Sequence, residues 1–256
     1  MICPVAVSDV IPKIRAIFFD LHHTLTGTRV DFPELTREAA AEAGIDLSCF
    51  SDNHLRDAIS KANTWLAQYQ VETDVNIHWG TEPEQWIEAN RIFLDHLDLH
   101  DIEDMTLIDF ERAWKRITRL NWEFLADDAL DTLKTLHKRG YVLSICTRRN
   151  DDPTSLLQEW KILELMSAVL WTAVPGFAKP SPYTLIQAAH ETGVNPRACA
   201  YVGDMVDADM AAAKNAEMLP ILTVWANPDE REKASEDIIV IDRLHQLLDI
   251  FQGPPS

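Results

Sequence analysis

The chain has 256 residues, 46% hydrophobic and 25% charged, enough apolar material for a sizeable core and too much for a disordered polypeptide. Its formal charge of −18 disfavours nucleic acid and anionic membrane surfaces as partners, and any anionic ligand must meet positive charge gathered locally. Cys3, Cys49, Cys146 and Cys199 are scattered without a C-x-x-C pair, which points to reduced thiols in a cytoplasm and away from a disulfide framework or a zinc site.

In chain order, the N-terminus lacks the basic-then-apolar layout of a signal peptide, and no later apolar run is long enough to span a bilayer. The first predicted strand is 14–19, an apolar run that ends on Asp20. From Gly27 to about Leu120 only helical periodicity is present, over 35–43, 54–69, 84–97 and 108–120. That is long for a connection after one strand, and it predicts a separate all-helical cap inserted into the core. A helix over 127–139 is closed by Gly140, and a strand over 141–146 ends on Thr147. Further strands are predicted at 168–171, at 200–203 just before Asp204, at 221–225 and at 238–241, with a helix over 182–192 closed by Gly193. The last four residues, 253–256, read as a loose tail. Strands alternating with helices imply an α/β fold, a Rossmann-like parallel-sheet core from 1–26 and 121–256 with the cap at 27–120.

In an open parallel sheet, ligands bind beyond the carboxyl ends of the strands. Asp20, Thr147 and Asp204 are delivered to that edge by three strand ends, and Lys179 by the loop 176–182. Taken singly, each has a plain explanation as a helix cap, a solvated helix start or a surface lysine. Together and in this order they resemble the haloacid dehalogenase-like hydrolase superfamily, most of whose members are phosphatases. The family's first motif, D-x-D-x-T after an apolar strand, is matched by Asp20-Leu21-His22-His23-Thr24. The second is a strand-ending Thr or Ser, here Thr147; the third a Lys often followed by Pro, here Lys179-Pro180. The fourth is G-D with a second acid four or five places on, here Gly203-Asp204 and Asp209. The resemblance covers about 14–26 and 121–250; the cap matches in size, place and helical character.

The resemblance implies a hydrolase in which Asp20 attacks phosphorus as a covalent nucleophile, splitting one hard displacement into two easier ones. It implies a magnesium ion held by Asp20, Asp204 and the backbone carbonyl of His22, with Asp209 in support; magnesium favours such hard oxygen ligands. Lys179 and Thr147 would hold the phosphoryl oxygens, and Arg148 could clamp a second anionic group of the substrate. A small phosphorylated metabolite is the expected substrate.

The departure is His22, where the family's phosphatases carry a second Asp that moves protons. Imidazole is a capable acid and base near neutral pH, so His22 either takes that work or marks altered chemistry. Phosphonate C–P cleavage and a non-catalytic regulatory relative therefore stand as alternatives, whereas metal-free dehalogenation does not need the three acids. His23 also departs, since the family often has Gly there. In the cap, Trp65, Trp79, Trp86 and Trp114 with His54, Arg56, His78 and Arg91 are candidates for a substrate-facing surface, although tryptophans at helical spacing commonly pack cores. Lys61, the only lysine from Gly27 to Trp114, is where a Schiff base would form in phosphonate chemistry; an exposed helix lysine needs no such role.

Overall fold

The computed structural model describes residues 13–73, 77, 81–118, 123–149, 152–174 and 176–254. The chain divides into two compact units: Met1–Gly27, Leu125–Thr172 and Gly176–Ser256 form the first, Thr28–Phe124 with Ala173–Pro175 the second.

The first unit is built on six parallel strands, β1 (Ala16–Phe19), β4 (Val142–Thr147), β5 (Ala168–Trp171), β6 (Cys199–Gly203), β7 (Leu219–Thr223) and β8 (Ile239–Ile241). Their order is β5-β4-β1-β6-β7-β8, so β1 is central. All four β1 residues are buried, and the two-residue strand period sorts their side chains onto two faces. Ile17 and Phe19 join Leu143, Ile145, Val202 and Ile221 beneath α5 (Ala129–Lys138) and the C-terminal helix α9 (Leu247–Ile250). Ala16 and Phe18 join Cys146, Tyr201 and Leu222 beneath α7 (Tyr183–Thr192) and α8 (Ala211–Asn215). Each large side chain buried this way stabilises the sheet by roughly 1.5–3 kcal/mol. The remaining helix, α6 (Thr154–Glu159), leads from β4 towards β5.

Strand ends moved little from the sequence expectation, and both predicted glycine stops are left-handed, Gly140 at φ +93 and Gly193 at φ +67. The expectation of no strand in the insertion is corrected at its margins. β2 (Thr26–Thr28) and β3 (Glu123–Leu125) pair as a two-stranded sheet where the chain leaves and re-enters the first unit. Runs of three residues, one holding Gly27, carry no readable periodicity. The two units divide at 27/28 and 124/125, within these two strands.

The second unit packs α1 (Phe32–Glu42), α2 (Asp52–Thr73), α3 (Ile87–Asp95) and α4 (Asp104–Thr118) around Leu35, Leu55, Phe93, Leu107 and Phe110. Part of the predicted 108–120 helix, at 119 and 120, and residues 255 and 256 of the tail lie outside the described residues. Among the described residues, no helix is long and apolar enough to cross a membrane.

This helical core buries Glu111, whose carboxylate accepts a hydrogen bond from Asn90 at 3.3 Å. Burial pushes its pKa from 4.5 up to about 7, against smaller downward pulls from Asn90 and Lys115. A folded-state pKa above the unfolded one means that folding takes up a proton in this window. Stability should therefore fall as pH rises from about 4.5 through 7, by on the order of 3 kcal/mol. Urea unfolding near pH 5 and near pH 8 measures this, and Glu111→Gln should flatten the decline. Identical pH slopes in the two proteins would rule Glu111 out as their source.

Candidate active site

The order of the strands reverses at β1, with β4 and β5 to one side and β6, β7 and β8 to the other. Such a switch point opens a crevice beyond the carboxyl ends of the strands. Phe19 lies opposite Ile145 on β4 and Val202 on β6. The Asp20 amide donates to the Val202 carbonyl at 2.9 Å, so the ladder runs one residue past the strand and fixes the backbone that carries the carboxylate.

Beyond Asp20 the chain turns sharply: the amides of Leu25 and Thr26 both donate to the Leu21 carbonyl at 2.9 Å. His23 sits in the left-handed region at φ +59, a conformation that costs an L-residue roughly 1–2 kcal/mol. Its ring stacks on that of His22 at 4.0 Å, and its Nδ1 lies 3.9 Å from Oδ2 of Asp204. His22 itself is half-buried.

Lys179 is the hub. Its Nζ donates to Asp20 Oδ1 at 2.5 Å, to Oδ1 of Asp209, and to the Tyr201 hydroxyl at 3.0 Å, using all three ammonium donors. Tyr201 in turn donates to the Cys146 carbonyl at 2.8 Å, which ties the hub to β4. Burial alone would push the lysine pKa down, but the carboxylates of Asp20 and Asp209 carry it well above its ordinary value, so it stays charged.

Asp209 is brought back to the strand end by a single π turn over Val206–Met210, closed by Met210 N–H to Met205 O at 3.1 Å. Its Oδ2 accepts from the amides of Asp204 at 3.2 Å and Met205 at 3.0 Å. Gly203 leaves room for this: a Cβ there would stand 2.3 Å from Cβ and 2.4 Å from Cγ of Asp209. The G-D pair is thus a packing requirement, and a side chain at 203 would displace the acid. π turns of this kind recur at functional sites.

One buried oxygen from each of Asp20, Asp204 and Asp209 lies within 4.8 Å of the others. Three carboxylates against one ammonium leave the cluster short of positive charge. Burial first, then Asp209 and Asp20, push Asp204 up to about 9. Burial likewise raises Asp20, although Lys179 pulls it down. A hard divalent ion fits this set of oxygen donors and would supply the positive charge that the cluster lacks.

Thr147 ends β4 and is buried, while Arg148 beside it is exposed; neither joins the hydrogen-bonded cluster among the described contacts. Of the residues that sequence reasoning passed over, one bonds an acid of the site directly and two bond the backbone of the loops beside it. Asn227 donates its side-chain amide to Asp204 Oδ2, Glu230 accepts from Val206 N–H at 2.8 Å, and Trp225 donates Nε1 to the Thr24 carbonyl at 2.9 Å. The one available signal was the Asn227-Pro228 pair, a turn marker after a strand.

The proposed substrate-facing side chains of the helical unit are engaged within it. Arg56 pairs with Asp31 and Arg91 with Asp104. Trp65 stacks on Tyr69 at 4.8 Å, Trp114 on Phe32 at 6.0 Å, and His54 meets Phe50 edge-on at 5.3 Å. Trp86 donates to Thr81 at 3.0 Å. His78 and Trp79 lie outside the described residues.

A family model, haloacid dehalogenase-like hydrolase, matches residues 14–217. The chain belongs to this family. A relative 34% identical over 240 residues is the phosphoglycolate phosphatase of Vibrio vulnificus (strain YJ016), with 93% of this chain and 96% of the relative covered. The glyceraldehyde 3-phosphate phosphatase of Methanothermobacter thermautotrophicus is 26% identical over 254 residues, covering 93% of this chain and 100% of the relative. Among solved structures, a HAD phosphatase from Thermococcus onnurineus superposes with a TM-score of 0.61 at 19% identity, over 95% of this chain and 100% of that one. At that identity the likeness speaks for the fold.

Proposed function

We propose that this hydrolase is a magnesium-dependent phosphatase of a small phosphorylated metabolite, working through an aspartyl-phosphate at Asp20. The observation that carries the reading is the buried cluster of Asp20, Asp204 and Asp209 bridged by Lys179 at the switch point. The names of the two relatives above, each denoting a phosphatase of a phosphorylated compound, support the substrate class.

In this reading Asp20, Asp204 and the His22 carbonyl would hold the ion, with Asp209 in support; bound there, it would supply positive charge to offset the repulsion between the carboxylate and the phosphoryl group. Lys179 fixes one oxygen of Asp20 and leaves the other to attack phosphorus. Thr147 and Arg148 hold the anionic oxygens of the substrate, and Lys179 joins them by turning one donor away from the Tyr201 hydroxyl. His22 gives a proton to the leaving oxygen and takes one from the water that opens the acyl-phosphate. We assign the helical unit the role of a cap that selects small substrates, and place the enzyme in the cytoplasm, where the free Cys49, Cys146 and Cys199 stay reduced.

A panel of phosphorylated metabolites, phosphoglycolate and glyceraldehyde 3-phosphate among them, assayed with magnesium and with a chelator, tests the reading. Activity should appear with magnesium and stop in the chelator. Full activity without divalent ions, or a preference for phosphoproteins, would sink it.

His22→Ala should lower turnover about 10²–10⁴-fold on alkyl phosphates and less on a nitrophenyl phosphate, whose leaving group needs no proton. An equal loss on both substrates would mark His22 as structural. Phosphonate cleavage is the second reading, favoured by His22 in place of an acid. Against it, Lys61 is an exposed helix residue paired with Asp57 at 2.6 Å.

A further inference from the structure

Asp204 stands on a loop, yet a metal ligand must hold one rotamer. Its Oδ2 accepts the side-chain amide of Asn227, which follows β7 in the turn before Pro228. Three residues on, Glu230 is buried and accepts the Val206 amide at the start of the π turn, while its other oxygen is neutralised by Lys233. Two residues before Asn227, Trp225 donates to the Thr24 carbonyl on the loop that follows Asp20. One short segment therefore grips both acid-bearing loops, at the backbone of one and at the side chain and backbone of the other.

The chemistry of these grips is selective. An amide donor orients a carboxylate without adding charge, so it leaves the negative charge of Asp204 to attract a cation; a lysine or arginine at 227 would compete with that cation. The charge of Glu230 is met by Lys233 and adds little to the acidic cluster. Hydrogen bonds to a ligating carboxylate fix its direction and typically govern metal affinity about 10–100-fold.

We propose that the segment 225–230 is a brace for the cation site, with Asn227 and Glu230 as positioning residues that preset Asp204 for metal binding. Neither residue touches the reacting atoms. The inference rests on the metal-dependent reading above, and goes beyond it in assigning affinity to a loop that carries no ligand.

The test is Mg²⁺ binding by isothermal titration calorimetry to the substrate-free full chain, for wild type, Asn227→Leu, Glu230→Ala and Glu230→Gln, with thermal unfolding as the fold control. Leu matches the shape of Asn without the donor, and Gln keeps an oxygen for the Val206 amide. Asn227→Leu and Glu230→Ala should bind Mg²⁺ about 10–100-fold more weakly, and Glu230→Gln within about threefold of wild type. In Asn227→Leu, kcat should return to near wild type at saturating Mg²⁺, which separates positioning from chemistry. A folded Asn227→Leu that binds Mg²⁺ as tightly as wild type overturns the brace. If wild type itself gives no binding heat and no Mg²⁺-dependent activity, the metal reading falls, and the brace with it.

Discussion

Asp20→Asn is expected to remove turnover, by at least about 10⁴-fold, while leaving a folded protein. The amide is isosteric with the carboxylate but cannot attack phosphorus, so no acyl-phosphate forms. Stability should not suffer at neutral pH. The wild-type carboxylate is buried, and burial holds its pKa above the ordinary value, so removing the charge relieves a penalty while Lys179 keeps Asp209 as a partner. Steady-state assays with the best substrate of the metabolite panel, alongside urea unfolding, measure both effects. Near wild-type activity in Asp20→Asn would end the covalent mechanism.

Lys179→Met carries the second large effect, and here activity and stability should fall together. Among the described residues, the ammonium is the one cation paired with both Asp20 and Asp209, and all three groups are buried. Removing it strands two carboxylates away from water, a change that destabilises proteins by about 3–5 kcal/mol. Turnover should drop about 10²–10³-fold as well, the typical loss when one preorganised charge is taken from an anionic transition state. The pH dependence has a definite sign. Lys179 lowers the pKa values of Asp20 and Asp204, so without it both rise further above 3.8. Carboxyls with raised folded-state pKa values favour folding only while protonated, so the variant should lose stability as pH rises above about 4, more steeply than wild type. Unfolding midpoints near pH 5 and near pH 8 give the comparison. A variant as stable as wild type at both values would show that the lysine is not the counter-charge of the cluster.

Much of the core was legible because its signals are local. The run ending at Phe19, the strand closing at Thr147 and the passage into Gly203-Asp204 each announce a strand edge within a few residues, and the left-handed Gly140 and Gly193 close the helices where the pattern stops. The short sheet of β2 and β3 was not legible, since three-residue strands hold no period and their pairing partners are about a hundred residues apart. In the helical unit the tryptophans and arginines looked available for a ligand, whereas packing and ion pairing had already engaged those among the described residues.

The sequence by itself determined the family, the alternating α/β core and the acids that end its strands, because motif order, hydrophobic period and strand-ending residues are written in adjacent positions. Only the tertiary structure decided how those acids are charged and held. Lys179 meets Asp20 across 159 residues, Asn227 reaches Asp204 across 23, and the π turn swings Asp209 under a glycine that admits no side chain. Burial then sets the electrostatics, since three carboxylates withdrawn from water around a single ammonium create a demand for positive charge that none of them would have in an unfolded chain.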